Sequence, residues 1–370
     1  MVIYFLVLLY WLLLFIFKKP TNRTADLFLS ILPLFLIMGL KAVSVGSDTI
    51  SYYNRYVGAD FMLTAENTAT EPGYNWLGYF FHDILGISFY AFDALMALFI
   101  CIVLAIFLKR YSSNLYLSLF LYMTIGIFTM SMSGLRQTLA IYLCTIPVIV
   151  SYTKYGFQHI SKRKKIWRLI IGFICVIAAS TLHNSAIIFM PILLLFNVRL
   201  TRRQTVLLIV LAATTLMLRG VLTSIMSHFL PVRYGDFDLN MDYQMNTLML
   251  ILPIAIGAFC AIISKPDGAD GKYSNAISLM FIFLALQITF SNLSLENNQI
   301  GRLGYYFMSS YIILIPYALK CLPQRSRGIV TFAITVLCLV FFYLGANGGT
   351  LRIDDYKFFW QEPAYLGIEN

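Results

Sequence analysis

Two acids, two arginines and a histidine, Asp48, Glu71, Arg136, His183 and Arg302, stand within or beside long apolar runs. Their chemistry is complementary. A guanidinium offers a planar fork of donors suited to phosphate, a carboxylate can accept a proton from a hydroxyl, and imidazole can donate or accept one near neutral pH. Ionisable groups are costly in hydrocarbon, so their presence there points to a polar cavity with partners. Each also has a plainer reading. Asp48, in Val45-Gly46-Ser47-Asp48-Thr49, can serve as a helix N-cap, and Glu71 precedes Pro72, a helix-start signal. Arg136, in Gly134-Leu135-Arg136-Gln137, can be a structural partner of either acid. A lone histidine such as His183 is often a satisfied core residue. Arg302 closes the polar run Asn297-Asn298-Gln299-Ile300-Gly301-Arg302. Two arginines and a histidine around one cavity would suit a pyrophosphate.

Several chemistries lack their motifs. The chain has no HExxH, no P-loop and no glycine-rich dinucleotide turn, and its DxD-like pair is Asp236-Phe237-Asp238. Metal catalysis and nucleotide-driven transport are therefore not expected, and no cofactor is implied.

The elements that must position these residues are membrane helices. Of 370 residues 59% are hydrophobic and 12% charged, against roughly 25% charged in a soluble domain. Mean hydropathy is +0.77. The net charge of +10 does not indicate nucleic acid, because the basic residues sit in short loops between apolar segments. None of the six cysteines pairs at CxxC spacing, so free thiols are expected. The run Val2 to Phe17 lacks a basic leading region and a small-residue cleavage site, which predicts a retained span.

The pattern predicts an all-α, polytopic membrane protein of about twelve helices. The segments are 2–17, 25–43, 87–108, 115–131, 135–153, 168–182, 185–198, 205–219, 246–264, 275–292, 304–320 and 328–345, with a broken or re-entrant helix at 182–185 as an alternative. Placing Lys18, Lys19 and Arg23 inside puts 19 of the 27 basic residues on the cytoplasmic face. Both termini then face outward, as do Asp48, Glu71, Arg136, His183 and Arg302. The basic cluster Ser161-Lys162-Arg163-Lys164-Lys165 reads as an inside anchor, with anionic lipid binding as the alternative. A single transmembrane domain over 1–370 is expected, with outer segments 44–86, 220–245 and 346–370. These carry most of the acids, interleaved with aromatics as in Ser51-Tyr52-Tyr53 and Tyr356-Lys357-Phe358-Phe359-Trp360. Acids bond sugar hydroxyls and aromatic faces stack on pyranose rings, and long loops of this kind often carry function. Trp76-Leu77-Gly78-Tyr79-Phe80-Phe81 reads as an amphipathic helix on the membrane surface.

At these residues the chain resembles the EpsG/Wzy type of bacterial exopolysaccharide and O-antigen polymerase. The likeness rests on Val45-Gly46-Ser47-Asp48-Thr49 with Tyr52-Tyr53, then Glu71-Pro72-Gly73-Tyr74, Gly134-Leu135-Arg136-Gln137-Thr138-Leu139-Ala140, His183-Asn184-Ser185-Ala186, and Arg302 with Tyr305-Tyr306-Phe307. It runs in order over nearly the whole chain.

The resemblance implies a GT-C-like glycosyltransferase in the bacterial cytoplasmic membrane with an outward-facing catalytic centre. Its substrates would be polyprenyl-pyrophosphate-linked oligosaccharides, such as undecaprenyl pyrophosphate carriers, destined for O-antigen, capsule or exopolysaccharide. Its partners would be membrane lipid, a flippase and a chain-length regulator. The implied catalytic residues are Arg136, Arg302 and His183 at the pyrophosphate, with Asp48 or Glu71 as proton acceptor. Tyr52, Tyr53, Arg55, Tyr74, Gln137, Asn184, Arg233, Tyr305 and Tyr306 are the implied substrate-binding residues. Rival readings are a lipid-linked oligosaccharide flippase, a ligase or acyltransferase with a similar outer site, and a non-enzymatic assembly protein. A flippase would want charges along a mid-membrane path and inverted repeats, and neither is evident in this chain.

Overall fold

The computed structural model describes residues 1–18, 24–59, 71–152, 162–229, 247–347 and 351–362. Among these residues the chain is helical, with isolated bridges and no strand. It divides into two compact units, one of residues 1–151, 161–193 and 332–370, the other of 152–160 and 194–331.

The first unit holds α1 (Val2–Phe17), α2 (Thr24–Gly39), α3 (Thr49–Val57), α4 (Pro72–Tyr79), α5 (Phe89–Tyr111), α6 (Leu115–Thr124), α7 (Ile127–Ser133), α8 (Leu135–Ser151) and α9 (Lys162–Leu182). The second holds α10 (Arg202–Phe229), α11 (Thr247–Ile263), α12 (Asn275–Leu293), α13 (Asn298–Arg302) and α14 (Ser309–Cys321), and α15 (Gln324–Asn347) runs from the second unit into the first.

Among the described residues each apolar segment expected to cross the membrane lies largely on helix, although the one expected at 25–43 ends at Gly39 and continues as a loop. Among the described residues, five helices are long and apolar enough to span a bilayer: Phe89–Tyr111, Lys165–Leu182, Arg202–Ile225, Asn275–Leu293 and Gln324–Asn347. The α6–α7 pair makes a sixth if its 58° bend lies within one span. The other segments lie on apolar helices of 10–17 residues. This is the pattern of a multi-pass membrane protein. The segment expected at 185–198 differs in kind, forming two tight 3₁₀ stretches, Asn184–Phe189 and Pro191–Asn197. Pro191 lacks the N–H that a continuous α-helix would need there. The segment 220–245 begins as a continuation of α10 to Phe229, and its remainder lies outside the described residues, as do Asp60, Glu66 and Arg233.

In the first unit α1 is tied to α2 by the buried Trp11 indole, which donates to the Ser30 carbonyl at 2.8 Å. At one end of the unit a tyrosine and two arginines satisfy carbonyls left open at the end of α8. The Tyr111 hydroxyl donates to Val148 O at 2.8 Å and Arg168 to Ser151 O at 2.8 Å, while Arg110 donates to Ile149 O. Orphan carbonyls and the helix dipole both favour cations there. At the other end Lys41, just past α2, forms a buried ion pair with Asp93 of α5 at 2.7 Å. Neither charge is tolerable alone in such a place, so the pair clamps the loop after α2 to α5.

That loop is also held by the segment following α15. The Ala42 N–H donates to Lys357 O at 2.9 Å and the Phe359 N–H to Leu40 O at 3.0 Å. Further along, the Gly46 and Ser47 N–H groups donate to the Arg352 and Leu351 carbonyls, both at 3.0 Å. Ser44 adds a side-chain bond to Glu362, and the Met1 ammonium donates to Asp354 O at 2.8 Å.

In the second unit α12 is central, packed by α10, α11 and α14. Its buried Asn292 amide donates to Ala212 O at 3.2 Å and to Thr215 Oγ1 at 2.9 Å on α10. Arg199 holds Asp270 with a bidentate pair at 2.6 and 2.9 Å. Arg219 pairs with Glu296 at 2.8 Å.

Candidate functional site

The charged centre of the first unit is built where α3, α4, α8 and the end of α9 meet. Arg136 lies in the first turn of α8, where the helix dipole disfavours a cation. Three groups compensate. Its Nη1 donates to Glu71 Oε2 at 2.7 Å, and its guanidinium carbon lies 5.7 Å from the Tyr52 ring centroid and 5.9 Å from that of Tyr74. Each aromatic face contributes about 0.5–2 kcal/mol in such geometry. The Arg136 Nε atom is buried without a hydrogen-bond partner.

Glu71 occupies the N-cap position of α4, but its side chain makes no cap bond. Its carboxylate is turned instead to Arg136 and, through Oε1, to the Asn184 N–H at 3.3 Å. Both oxygens are thus engaged, and the bond to Asn184 brings the His183–Ser185 segment into the centre. His183 Nδ1 lies 2.6 Å from Ser185 Oγ. α4 reaches this position by close approach. A Cβ on Gly73 would fall on Thr181 Oγ1 and within 2.8 Å of the Thr181 carbonyl oxygen at the end of α9.

Asp48 is likewise the N-cap of α3 without a side-chain cap bond. It is exposed, and its Oδ1 accepts from Ser47 Oγ at 3.0 Å. Ser47 Oγ is also bonded to Ser133 Oγ at the end of α7. Gly46 makes this junction with φ +96°, and a side chain there would strike the Met132 carbonyl. Tyr52 links the parts electrostatically. Burial pushes its phenol above the ordinary value, Arg136 pulls it down and Asp48 raises it, so the ring feels both groups. Tyr74 is pushed up more strongly, by burial and then by Tyr52 and Asp93, against the pull of Arg136 and Arg55.

The first unit therefore brings together Asp48, Tyr52, Arg55, Glu71, Tyr74, Arg136 and the His183–Asn184 segment. Gln137 is buried beside Arg136, and Tyr53 packs edge-on against Phe89 at 5.3 Å. Arg302, Tyr305 and Tyr306 belong to the second unit, on α13 and the tight turn Leu303–Phe307. Arg302 is exposed there and Tyr306 buried. Arg233 lies outside the described residues.

Sequence reasoning missed the Lys41–Asp93 pair beneath this centre. The signal was present, because Asp93 is the one acid within the apolar run of α5. It also missed the pairing of 351–359 with 40–47, which rests on peptide groups that no residue type announces.

The family model described as the EpsG family matches residues 25–352 of the 370, a range that includes every residue of the charged centre. No curated protein and no solved structure matches the chain.

Proposed function

From the premise that the chain belongs to the EpsG family, whose membership marks a polysaccharide-polymerase type of function, we propose a specific reaction. The protein joins polyprenyl-pyrophosphate-linked oligosaccharide repeat units on the outer face of the bacterial cytoplasmic membrane, within a GT-C-like architecture of about twelve spans. A hydroxyl of the terminal sugar on a new repeat unit attacks the anomeric carbon of the growing chain. The bond from that carbon to the pyrophosphate oxygen breaks, polyprenyl pyrophosphate leaves, and the hydroxyl proton passes to a carboxylate. The donor arrives activated, so the reaction as written needs neither nucleotide nor metal.

The observation that carries this reading is the Arg136 guanidinium set against the adjoining Tyr52 and Tyr74 rings and aligned by Glu71. In that setting Arg136 neutralises charge developing on the leaving pyrophosphate, with His183 assisting. Preorganised stabilisation of this kind is commonly the largest catalytic contribution. The two acids divide their labour. Glu71 has both oxygens engaged and orients Arg136, while the exposed Asp48 takes the proton.

The test is Arg136→Ala in the host, beside a strain lacking the gene, with surface glycans resolved by size. We expect single repeat units and no long polymer in both, with the variant protein retained in the membrane. An unchanged chain-length distribution in the variant would overturn the role of Arg136. Loss of single units as well, with lipid-linked units trapped inside, would identify a flippase instead.

A further inference from the structure

The segment after α15 does more than close the fold. Trp360 is 51% exposed. One face of its indole lies on Phe358, with ring centroids 4.5 Å apart and planes 5° from parallel, and Phe359 meets it edge-on at 5.0 Å. Phe359 is itself packed on Tyr90 at 5.0 Å, so the stack is anchored to α5. The result is a fixed aromatic platform with its outer face open.

The same segment carries a linked set of polar groups. Lys357 Nζ lies 3.1 Å from Asp355 Oδ2 and 3.7 Å from Glu362 Oε1, and Glu362 receives Ser44 Oγ. Ser44 is in the loop that carries Asp48, and the peptide groups of Gly46 and Ser47 are bonded to residues 352 and 351. The segment that carries Trp360 is therefore bonded to the loop that ends at the proposed proton acceptor, Asp48.

We propose that residues 351–362 form an acceptor-glycan subsite. A pyranose ring stacks its C–H face on Trp360, and Asp355, Lys357 and Glu362 bond its hydroxyls. The C–H bonds of a sugar carry partial positive charge and suit the negative face of an indole. An anchor in an anionic headgroup layer is the competing use of an exposed tryptophan, but it favours basic neighbours. Here three acids, Asp354, Asp355 and Glu362, stand against two bases, Arg352 and Lys357. The subsite rests on the polymerase reading and names where that reaction holds its acceptor.

The experiment uses full-length protein in nanodiscs, with lipid-linked repeat units extracted from a strain lacking the gene as the substrate. Initial rates are followed as the repeat unit is varied. Trp360→Ala is expected to raise the acceptor KM roughly tenfold, the scale of one aromatic contact, with kcat within about twofold. Trp360→Phe should recover most of the loss. An unchanged KM in Trp360→Ala, with Arg136→Ala inactive in the same assay, overturns the subsite and leaves the polymerase reading standing. A fall in kcat alone, or loss of Trp360→Ala and Trp360→Phe protein alike from the membrane, also overturns it, since either marks a packing role. Full activity of Arg136→Ala removes the reading on which the subsite depends.

Discussion

At the scale of single residues, the two acids that looked equivalent in the chain are separated by what surrounds them. Both stand at N-cap positions and neither caps its helix. The carboxylates are spent elsewhere, Glu71 on Arg136 and the Asn184 N–H, Asp48 on Ser47 Oγ. Asp48→Asn should therefore cost the full contribution of a general base, about 10²–10⁴ in rate. Glu71→Gln keeps an acceptor for the guanidinium and loses its charge, so a smaller loss, roughly tenfold, is expected. Single-turnover rates of both variants check this, and the reverse order would exchange the two roles. The residue types and their order were legible from the chain, including an Arg136 salt bridge as one option. The choice between partners was not, because residues 65 positions apart reveal no distance.

Elements were legible where an apolar run alone decides the outcome. The long helices α5, α12 and α15 fall on segments expected from hydropathy, because burying peptide groups in hydrocarbon requires their internal hydrogen bonds. The irregular pieces were harder to read. The bend between α6 and α7 turns at Gly126, at φ +95°, and the stretch after His183 tightens to 3₁₀ turns around Pro191. Close approaches also escape pattern reading, and α4 is the clearest case. Gly73→Ala would push α4 away from the end of α9 and carry Glu71 off Asn184. Overpacking of this kind costs about 1–3 kcal/mol. A lowered unfolding midpoint in detergent, together with a polymer yield reduced more than the protein level, is the expected result. An unaltered midpoint would show that α9 yields freely.

For the whole molecule, the connections within the first unit bear on the proposed membrane topology. Asn184 is bonded to Glu71, and residues 351 and 352 are bonded to the loop before Asp48, all within the first unit. On the proposed topology the chain between residues 184 and 351 leaves one membrane face and returns to it. Cysteine labelling tests the direction, with little background because four of the six native thiols are buried. Asn54→Cys should react with an impermeant maleimide in intact cells, and Arg203→Cys after permeabilisation. Labelling of both from outside would mean that 184–197 re-enters without crossing, which hydropathy alone could not decide. The segment after α15 carries a different consequence, one for divergence among relatives. It is fastened to the loop at 40–47 largely by peptide groups, and peptide groups are indifferent to which side chains accompany them. Substitutions on its outer surface can accumulate without loosening the fastening or disturbing Arg136. Such a surface is free to drift from one sugar preference to another while the chemistry beneath it stays fixed.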